Sequence, residues 1–260
     1  MEREKARPRA HISARTLRKD NWWVQPLVTF LVLFGFVVYS SWAAMVNDNY
    51  FYEPYLSPFY APCLGATCPP EVMLGGIPLP AIISPAILIL IVPLGFRLTC
   101  YYYRKAYYRS FWQSPPGCGV REPHKKYTGE RRFPLIMQNL HRYFMYLATI
   151  LNVFLTYEAV VSFRDHHGNW GHMGVGTLVL VINAAALWAY TLSCHACRHT
   201  LGGRLNNFSK HPVRYRLWTQ LSKLNGRHQQ IAWFSLVWVA LTDLYVRLLA
   251  MGTITDIQFF

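Results

Sequence analysis

The sequence predicts an all-α, polytopic membrane protein with five transmembrane helices, a cytoplasmic N-terminus and a C-terminus outside. The 260-residue chain is 53% hydrophobic and only 15% charged, so it is more apolar than a typical soluble domain. Five apolar runs are long enough to cross a bilayer as helices. Lys and Arg residues are concentrated in alternate connecting segments, which is a pattern of membrane topology.

The five apolar runs define a single membrane domain with no room for a separate catalytic domain. The runs are residues 22–46, 77–96, 133–163, 173–193 and 231–249. Pro85 and Pro93 should kink the second helix, because each lacks a backbone N–H donor. Asp243 and Arg247 in the fifth run are four residues apart, which predicts an ion pair on one helix face. Glu158 lies toward the outer end of the third run, where an ionisable group is costly.

The distribution of Lys and Arg predicts which segments are cytoplasmic. Seven fall in residues 1–21, ten in 97–142 and seven in 198–227, whereas 47–76 contains none and 164–172 contains only Arg164. Since these residues accumulate on the cytoplasmic side, we expect the tail 1–21 and the loops 97–132 and 194–230 inside, and the loops 47–76 and 164–172 outside. The net charge of +14 therefore reflects topology, and no nucleic-acid partner is expected.

The first outer loop contains two cysteines, Cys63 and Cys68. Four residues separate them, and an extracytoplasmic location permits a disulfide. The pair is a disulfide candidate, and the alternative is two unpaired thiols in a loop.

A dense group of thiols and imidazoles ends the fourth run, on the predicted cytoplasmic side. The segment is Cys194-His195-Ala196-Cys197-Arg198-His199. The run before it carries no charged side chain. Soft sulfur and imidazole ligands at a membrane surface suit zinc, copper or an iron–sulfur centre. The sequence therefore predicts a metal site at this end of the fourth helix.

Helical geometry leaves two ligand sets open for this site. If the fourth helix continues to Leu201, where two glycines supply a stop, Cys194 and Cys197 lie on one helix face. His195 and His199 then lie on a different face, so a small cluster uses one pair or the other.

Neighbouring helices supply the nitrogen ligands if the two cysteines bind the metal. His141 in the third run and His228 just before the fifth lie at the matching depth. If the fourth helix instead unwinds early, Cys197 and His199 form a Cys-x-His element and His199 becomes a ligand.

Four residues near the same surface are candidates for contact with a quinone. A quinone headgroup needs a few polar donors in an apolar pocket. The candidates are Arg97, Tyr101, Trp112 and Trp218.

The chain resembles the single membrane-anchor subunit of type F succinate dehydrogenases, a class of respiratory complex II. The resemblance spans essentially the whole chain. It rests on the basic tail before Trp22-Trp23, the five apolar runs, the run containing His141, and the Cys/His segment followed by Gly202-Gly203-Arg204.

The resemblance implies a role in electron transfer, with no succinate site in this chain. In that family a flavoprotein subunit oxidises succinate and an iron–sulfur subunit passes electrons to the anchor. The anchor is free of haem and carries a Rieske-type 2Fe–2S cluster that reduces a membrane quinone. The expected partners are those two subunits, a quinone and the lipid of a bacterial plasma membrane.

The resemblance also implies a ligand set, because Rieske clusters use two cysteines and two histidines. Cys194 and Cys197 match the thiolate pair. His141 and His228 are the expected imidazoles, with His199 and His195 as alternates. The sequence lacks the second Cys-x-x-His loop of soluble Rieske proteins.

Three other functions remain open from the residues. A dihaem cytochrome b anchor needs axial histidine pairs at two depths, for which His141 and His228 would hold one haem b and His172 is the outer candidate. A membrane thiol–disulfide oxidoreductase would use Cys194 and Cys197. A metal transporter or sensor would require further intramembrane carboxylates or histidines.

Overall fold

The computed structural model describes residues 18–63, 84–124, 135–165, 168–203 and 205–259. Within these ranges the chain forms eight α-helices and one short β-hairpin. The helices are α1 (Val24–Val46), α2 (Pro85–Leu98), α3 (Tyr101–Ser110), α4 (His141–Val161), α5 (Val175–Leu192), α6 (His195–Gly202), α7 (Pro212–Asn225) and α8 (His228–Ala250). The hairpin pairs β1 (Phe51–Tyr52) with β2 (Tyr55–Leu56) in antiparallel register.

Four described helical segments are long and apolar enough to cross a membrane. They are Val24–Val46, Ile136–Val161, Val175–Leu192 and His228–Ala250. A fifth candidate is α2 together with α3, which are separated by a break at Thr99–Cys100. The predicted all-α membrane class is confirmed in this form, whereas the count of five spans and the orientation of the termini remain predictions.

The chain forms two compact units. Unit 1 comprises residues 1–35 and 99–138, and unit 2 comprises residues 36–98 and 139–260. In unit 1 the Phe30 and Phe111 rings lie 4.7 Å apart between centroids. The Arg104 guanidinium in α3 donates to the Gln138 side chain at 2.6 Å.

Unit 2 contains α4, α5 and α8, which pack side by side. Helices in lipid gain little from the hydrophobic effect, so small residues and interhelical hydrogen bonds carry much of the packing. Asn152 in α4 donates to the Leu187 carbonyl at 3.2 Å, and Thr177 in α5 donates to the Ser162 carbonyl at 2.8 Å. These two contacts fix an antiparallel register between α4 and α5.

One end of unit 2 is formed by the starts of α4 and α8 and by the junction of α5 with α6. This end is called the inner end below, and the opposite end is called the outer end. The continuous helix to Leu201, which is one of the two alternatives that the sequence leaves open, is interrupted here. Helix α5 ends at Leu192, Cys194 has an extended backbone with φ −64° and ψ 140°, and α6 then runs to Gly202.

The two prolines that were predicted to kink the second helix occupy different positions in α2. Pro85 is the first residue of α2, so the expectation of a kink at this position is wrong. At the first position of a helix the missing N–H has no intrahelical partner to lose. Pro93 lies inside the helix, where it removes one backbone donor.

The outer end of unit 2 is closed by the ion pair that the sequence predicts. The Arg247 Nε lies 2.8 Å from Asp243 Oδ2, and both side chains are buried. Asp243 also accepts hydrogen bonds from the Tyr39 and Ser57 hydroxyls. The two remaining Arg247 nitrogens donate to backbone carbonyls at 2.7 and 2.8 Å, so the buried charges are paired.

Candidate functional site

The inner end of unit 2 brings a predicted imidazole and a predicted thiol into contact. His141 Nε2 lies 2.9 Å from Cys194 Sγ, although the two residues are 53 positions apart. The His141 ring stacks on Phe96 at 4.9 Å between centroids and also hydrogen-bonds to the Phe96 backbone. A second hydrogen bond of this kind fixes the ring orientation of metal-bound histidines.

Cys194 occupies the N-cap position of α6 and is almost completely buried. Its Sγ accepts a hydrogen bond from the Ala196 amide at 3.4 Å. The extended backbone at Cys194 turns this sulfur back over the first turn of the helix. Backbone amides and the positive end of a helix stabilise the thiolate form, which is the form that binds metals.

His228 is buried at the start of α8, on the same end of the bundle. Its Nδ1 lies 2.6 Å from the Ser193 hydroxyl, and its ring stacks on Tyr190 at 5.1 Å. The imidazoles of His228 and His141 lie within range of mutual electrostatic interaction. The structure therefore places both expected nitrogen ligands at one end of the bundle, on either side of the Cys194 segment in sequence.

Arg97 adds a buried positive charge to the same region. Its guanidinium lies 4.6 Å from the centre of the Tyr190 ring and donates to the Ala232 carbonyl at 3.2 Å and the Ser235 hydroxyl at 3.1 Å. Arg97 is thus anchored to α8 beside the aromatic ring on which His228 stacks.

The other members of the Cys/His segment lie nearer the surface. Cys197 is half-buried, and burial raises the pKa of its thiol. His195 and His199 are exposed, and His199 Nδ1 lies 3.1 Å from an Arg142 nitrogen. Partial burial and the neighbouring Arg198 lower the pKa of His195. The break before α6 explains this outcome, because it turns Cys194 inward while the two histidines follow the exposed face.

The expected set of four ligands is therefore only partly assembled. Within the described ranges, no three His, Cys, Asp or Glu side chains form a group that could hold a metal ion. His141 and Cys194 are in direct contact. The residue chemistry nevertheless fits an iron–sulfur cluster, because the sulfur accepts a backbone N–H and the facing imidazole is oriented by a second hydrogen bond.

The four quinone candidates belong to different parts of the protein. Arg97 and Trp218 lie in unit 2, whereas Tyr101 and Trp112 lie in unit 1 and are exposed. The Arg198 guanidinium lies 5.0 Å over the Trp218 ring, which also packs against Gly202. The proposed quinone contacts of all four residues stay predictions.

Sequence reasoning missed two aromatic rings that support the imidazoles. Phe96 stacks on His141, and Tyr190 stacks on His228. Tyr190 precedes Cys194 by four residues, so helical spacing alone would have placed it one turn from the metal-binding segment. Phe96 gave no such signal, because its proximity to His141 depends on the packing of α2 against α4.

The cysteines outside this site have separate roles. Cys63 is disulfide-bonded, while its predicted partner Cys68 lies outside the described residues. Among the described residues, Cys100, Cys118, Cys194 and Cys197 form no disulfide.

A bundle of apolar helices with thiol and imidazole side chains at one end is the arrangement expected of a membrane anchor of an electron-transfer complex. The family model described as actinobacterial succinate dehydrogenase subunit SdhC matches residues 24–252. The chain is also similar to a chain of the Mycobacterium smegmatis Sdh1 complex in the apo form. The two are 51% identical over 98% of each chain, with a TM-score of 0.88. A search of curated proteins finds no match.

The chain belongs to the SdhC family of actinobacterial succinate dehydrogenases. It is the membrane subunit of a succinate dehydrogenase complex and a multi-pass bacterial membrane protein. The resemblance to complex II anchors is confirmed at this level.

Proposed function

We propose that this subunit holds a Rieske-type 2Fe–2S cluster at the inner end and passes electrons through it to a membrane quinone. The contact between His141 Nε2 and Cys194 Sγ, at 2.9 Å, is the observation that carries this proposal. A buried thiol and a half-buried imidazole from separate segments are the two ligand types of such a cluster. Family membership supports the proposal, because a succinate dehydrogenase anchor must deliver electrons to the membrane.

Cys194 and Cys197 would hold one iron, and His141 and His228 the other. When bound, the cluster carries one electron at a time, and neutral imidazole ligands raise its potential relative to an all-cysteine cluster. Phe96 and Tyr190 orient the two imidazoles by stacking. Arg97 supplies a fixed positive charge beside His228, and the apolar helices keep bulk water away from the ligands.

The partners of the subunit follow from the same proposal. The similar chain comes from an Sdh1 complex, which supports assembly with flavoprotein and iron–sulfur subunits. The inner end faces the cytoplasm, where the basic loops 97–132 and 194–230 offer a positive docking surface. The flavoprotein subunit oxidises succinate. Arg97 and Trp218 in unit 2 are candidate quinone contacts at the inner end, and Tyr101 and Trp112 in unit 1 are separate candidates.

The test is an electron paramagnetic resonance spectrum of the reduced, purified complex at low temperature. We expect a cluster signal with an average g value below that of all-cysteine clusters. The Cys194→Ser and Cys197→Ser variants should lose this signal while the subunit stays in the membrane. Cys118→Ser is the matched control, because Cys118 is free and exposed in unit 1. A haem absorption band with no such signal would contradict the proposal and favour the haem b anchor.

A further inference from the structure

A series of buried polar side chains runs through unit 2 from the outer end to the inner end. Its members belong to β2, α4, α5 and the connecting segments, and we call the series the polar ladder. From outside to inside it comprises His172, Tyr55, Thr177, Ser162, Glu158, Asn183, Asn152, Thr191 and Ser193. The ion pair at Asp243 and the cluster ligands described above do not account for it.

The outer part of the ladder consists of polar groups in contact with one another. His172 is half-buried, and its Nε2 lies 3.5 Å from the Tyr55 hydroxyl. That hydroxyl lies 3.4 Å from Thr177 Oγ1, which donates to the Ser162 carbonyl at 2.8 Å. Burial raises the pKa of the Tyr55 phenol, so it keeps its proton at neutral pH. The Tyr55 hydroxyl donates its proton to the Asp256 carboxylate at 2.6 Å, and the Thr177 hydroxyl donates to a backbone carbonyl, so Tyr55 and Thr177 are in polar contact without a hydrogen bond between them. Polar groups in contact therefore reach from the outer surface to one turn above Glu158.

The middle part of the ladder contains two buried oxygen atoms that lack a hydrogen-bond partner. They are Glu158 Oε1 and Asn183 Oδ1, in side chains that are 2% and 1% exposed. In the described part of the chain no cationic side chain pairs with Glu158. A buried carboxyl without a cationic neighbour stays protonated, because its charged form is too poorly solvated.

The register of α4 against α5 places the Glu158 and Asn183 side chains one after the other along the ladder. The contacts of Ser162 with Thr177 and of Asn152 with Leu187 set the pairing of the two antiparallel helices. Asn183 therefore lies between the levels of Glu158 and Asn152. Buried polar atoms without a protein partner commonly hold ordered water, which completes their hydrogen bonds.

The inner part of the ladder ends beside the candidate redox site. Asn152 Nδ2 donates to Thr191 Oγ1 at 2.9 Å. Two residues further on, the Ser193 hydroxyl lies 2.6 Å from His228 Nδ1. The series thus ends at the inner end, where the proposed function places quinone reduction.

We propose that the polar ladder is a transmembrane proton route, with Glu158 as its proton-exchanging group. This inference rests on the proposed function for the quinone at the inner end. Intramembrane carboxyls that face the interior of a bundle are characteristic of proton relays. Asp243 does not compete for this role, because its charge is neutralised by Arg247.

The reaction balances with protons taken from the outer side. Succinate loses two electrons and two protons to become fumarate, and these protons are released on the side of the soluble subunits. The quinone gains the same two electrons and takes up two protons to become quinol. If those protons arrive through the ladder, each turnover moves up to two protons inward, and the membrane potential drives the reaction.

The test uses the complete complex in liposomes, with the soluble subunits outward and a pH-sensitive dye trapped in the lumen. Adding succinate and a short-chain quinone should make the wild-type lumen alkaline, and an uncoupler should abolish the change. Glu158→Gln should reduce this signal by on the order of tenfold or more, because the amide cannot exchange a proton. Glu53→Gln is the matched control, since Glu53 is exposed in the turn of the outer hairpin.

A second variant covers the case in which Glu158→Gln fails to assemble. Asn183→Leu removes the other buried oxygen while keeping the number of side-chain heavy atoms, and it should cause the same loss of lumen signal. The proposal is overturned if wild-type vesicles reduce quinone without alkalinising the lumen, or if both variants alkalinise it as the wild type does. The cluster spectrum is recorded on each sample, so loss of the proposed function is distinguished from loss of the proton route.

Discussion

The two ends of unit 2 bury polar groups in different ways. At the outer end, both Asp243 oxygens and all three Arg247 nitrogens have partners, so the network is closed on itself. At the inner end, the imidazoles of His141 and His228 contact a thiol and a hydroxyl and lie against aromatic rings. The outer contacts are strong and mutually satisfied, whereas the inner groups are good metal ligands held by partners that a metal can displace. The outer network therefore stabilises the fold, whereas the inner groups are those to which the proposed function assigns the cluster.

The largest expected loss of stability follows from breaking the outer ion pair. Asp243→Leu leaves the Arg247 guanidinium buried without its carboxylate, which should cost about 3–5 kcal/mol of stability. The thermal transition of the purified complex should fall strongly. Arg164→Leu is a suitable control, because Arg164 is half-buried and lies over the Trp170 ring rather than in an ion pair. Equal thermal transition temperatures for the two variants would show that the outer network does not stabilise the protein.

The second prediction distinguishes the histidines of the inner end that bind the cluster from those that do not. His141→Ala and His228→Ala should each remove the cluster signal and lower quinone reduction by roughly 100-fold, or about 2.7 kcal/mol. Succinate oxidation with a soluble acceptor should survive, because it does not need the membrane quinone.

His199→Ala supplies the matched comparison for those two variants. His199 is exposed and contacts Arg142, so its loss should leave the cluster signal intact. If His199→Ala instead abolishes the signal while His228→Ala preserves it, the Cys-x-His element is the correct ligand set.

The third prediction tests whether the aromatic rings support the ligands. Tyr190→Leu removes the ring between Arg97 and His228, which should cost about 1–1.5 kcal/mol of stability and shift the g values of the cluster. Tyr157→Leu on the exposed face of α4 is the control and should change neither property. An unaltered spectrum in Tyr190→Leu would show that the ring does not position His228.

The sequence predicted those parts of the molecule that depend on local spacing and composition. The apolar runs indicated the long helices, and the spacing of four residues predicted the Asp243–Arg247 pair. The sequence left open whether the fourth helix continues to Leu201 or unwinds early, and the structure interrupts it. Neither Gly nor Pro marks the break at Ser193, and the burial of the Cys194 side chain as a helix cap depends on tertiary packing.

Contacts between distant segments could not be predicted from the sequence for a different reason. Asp256 accepts hydrogen bonds from the Tyr55 and Tyr245 hydroxyls at 2.6 Å each, and from the Gly176 amide at 3.0 Å. No periodicity in the sequence relates these segments. The buried position of Glu158 was suggested by its apolar neighbours, but its place in a series of polar groups required the register of α4 against α5.

The last pair of variants tests the membrane topology and should have the smallest effect on the protein. The assignment of the inner end to the cytoplasm depends on this topology. Thr253→Cys and Ser209→Cys introduce exposed thiols beyond α8 and in the segment before α7, in a Cys118→Ser background. Neither should change stability or activity. A membrane-impermeant maleimide added to intact cells should label Cys at 253 but label Cys at 209 only after the membrane is permeabilised, because the basic segments are retained in the cytoplasm. The reverse pattern would place the inner end outside the cell, and it would invert the direction of proton transfer along the polar ladder.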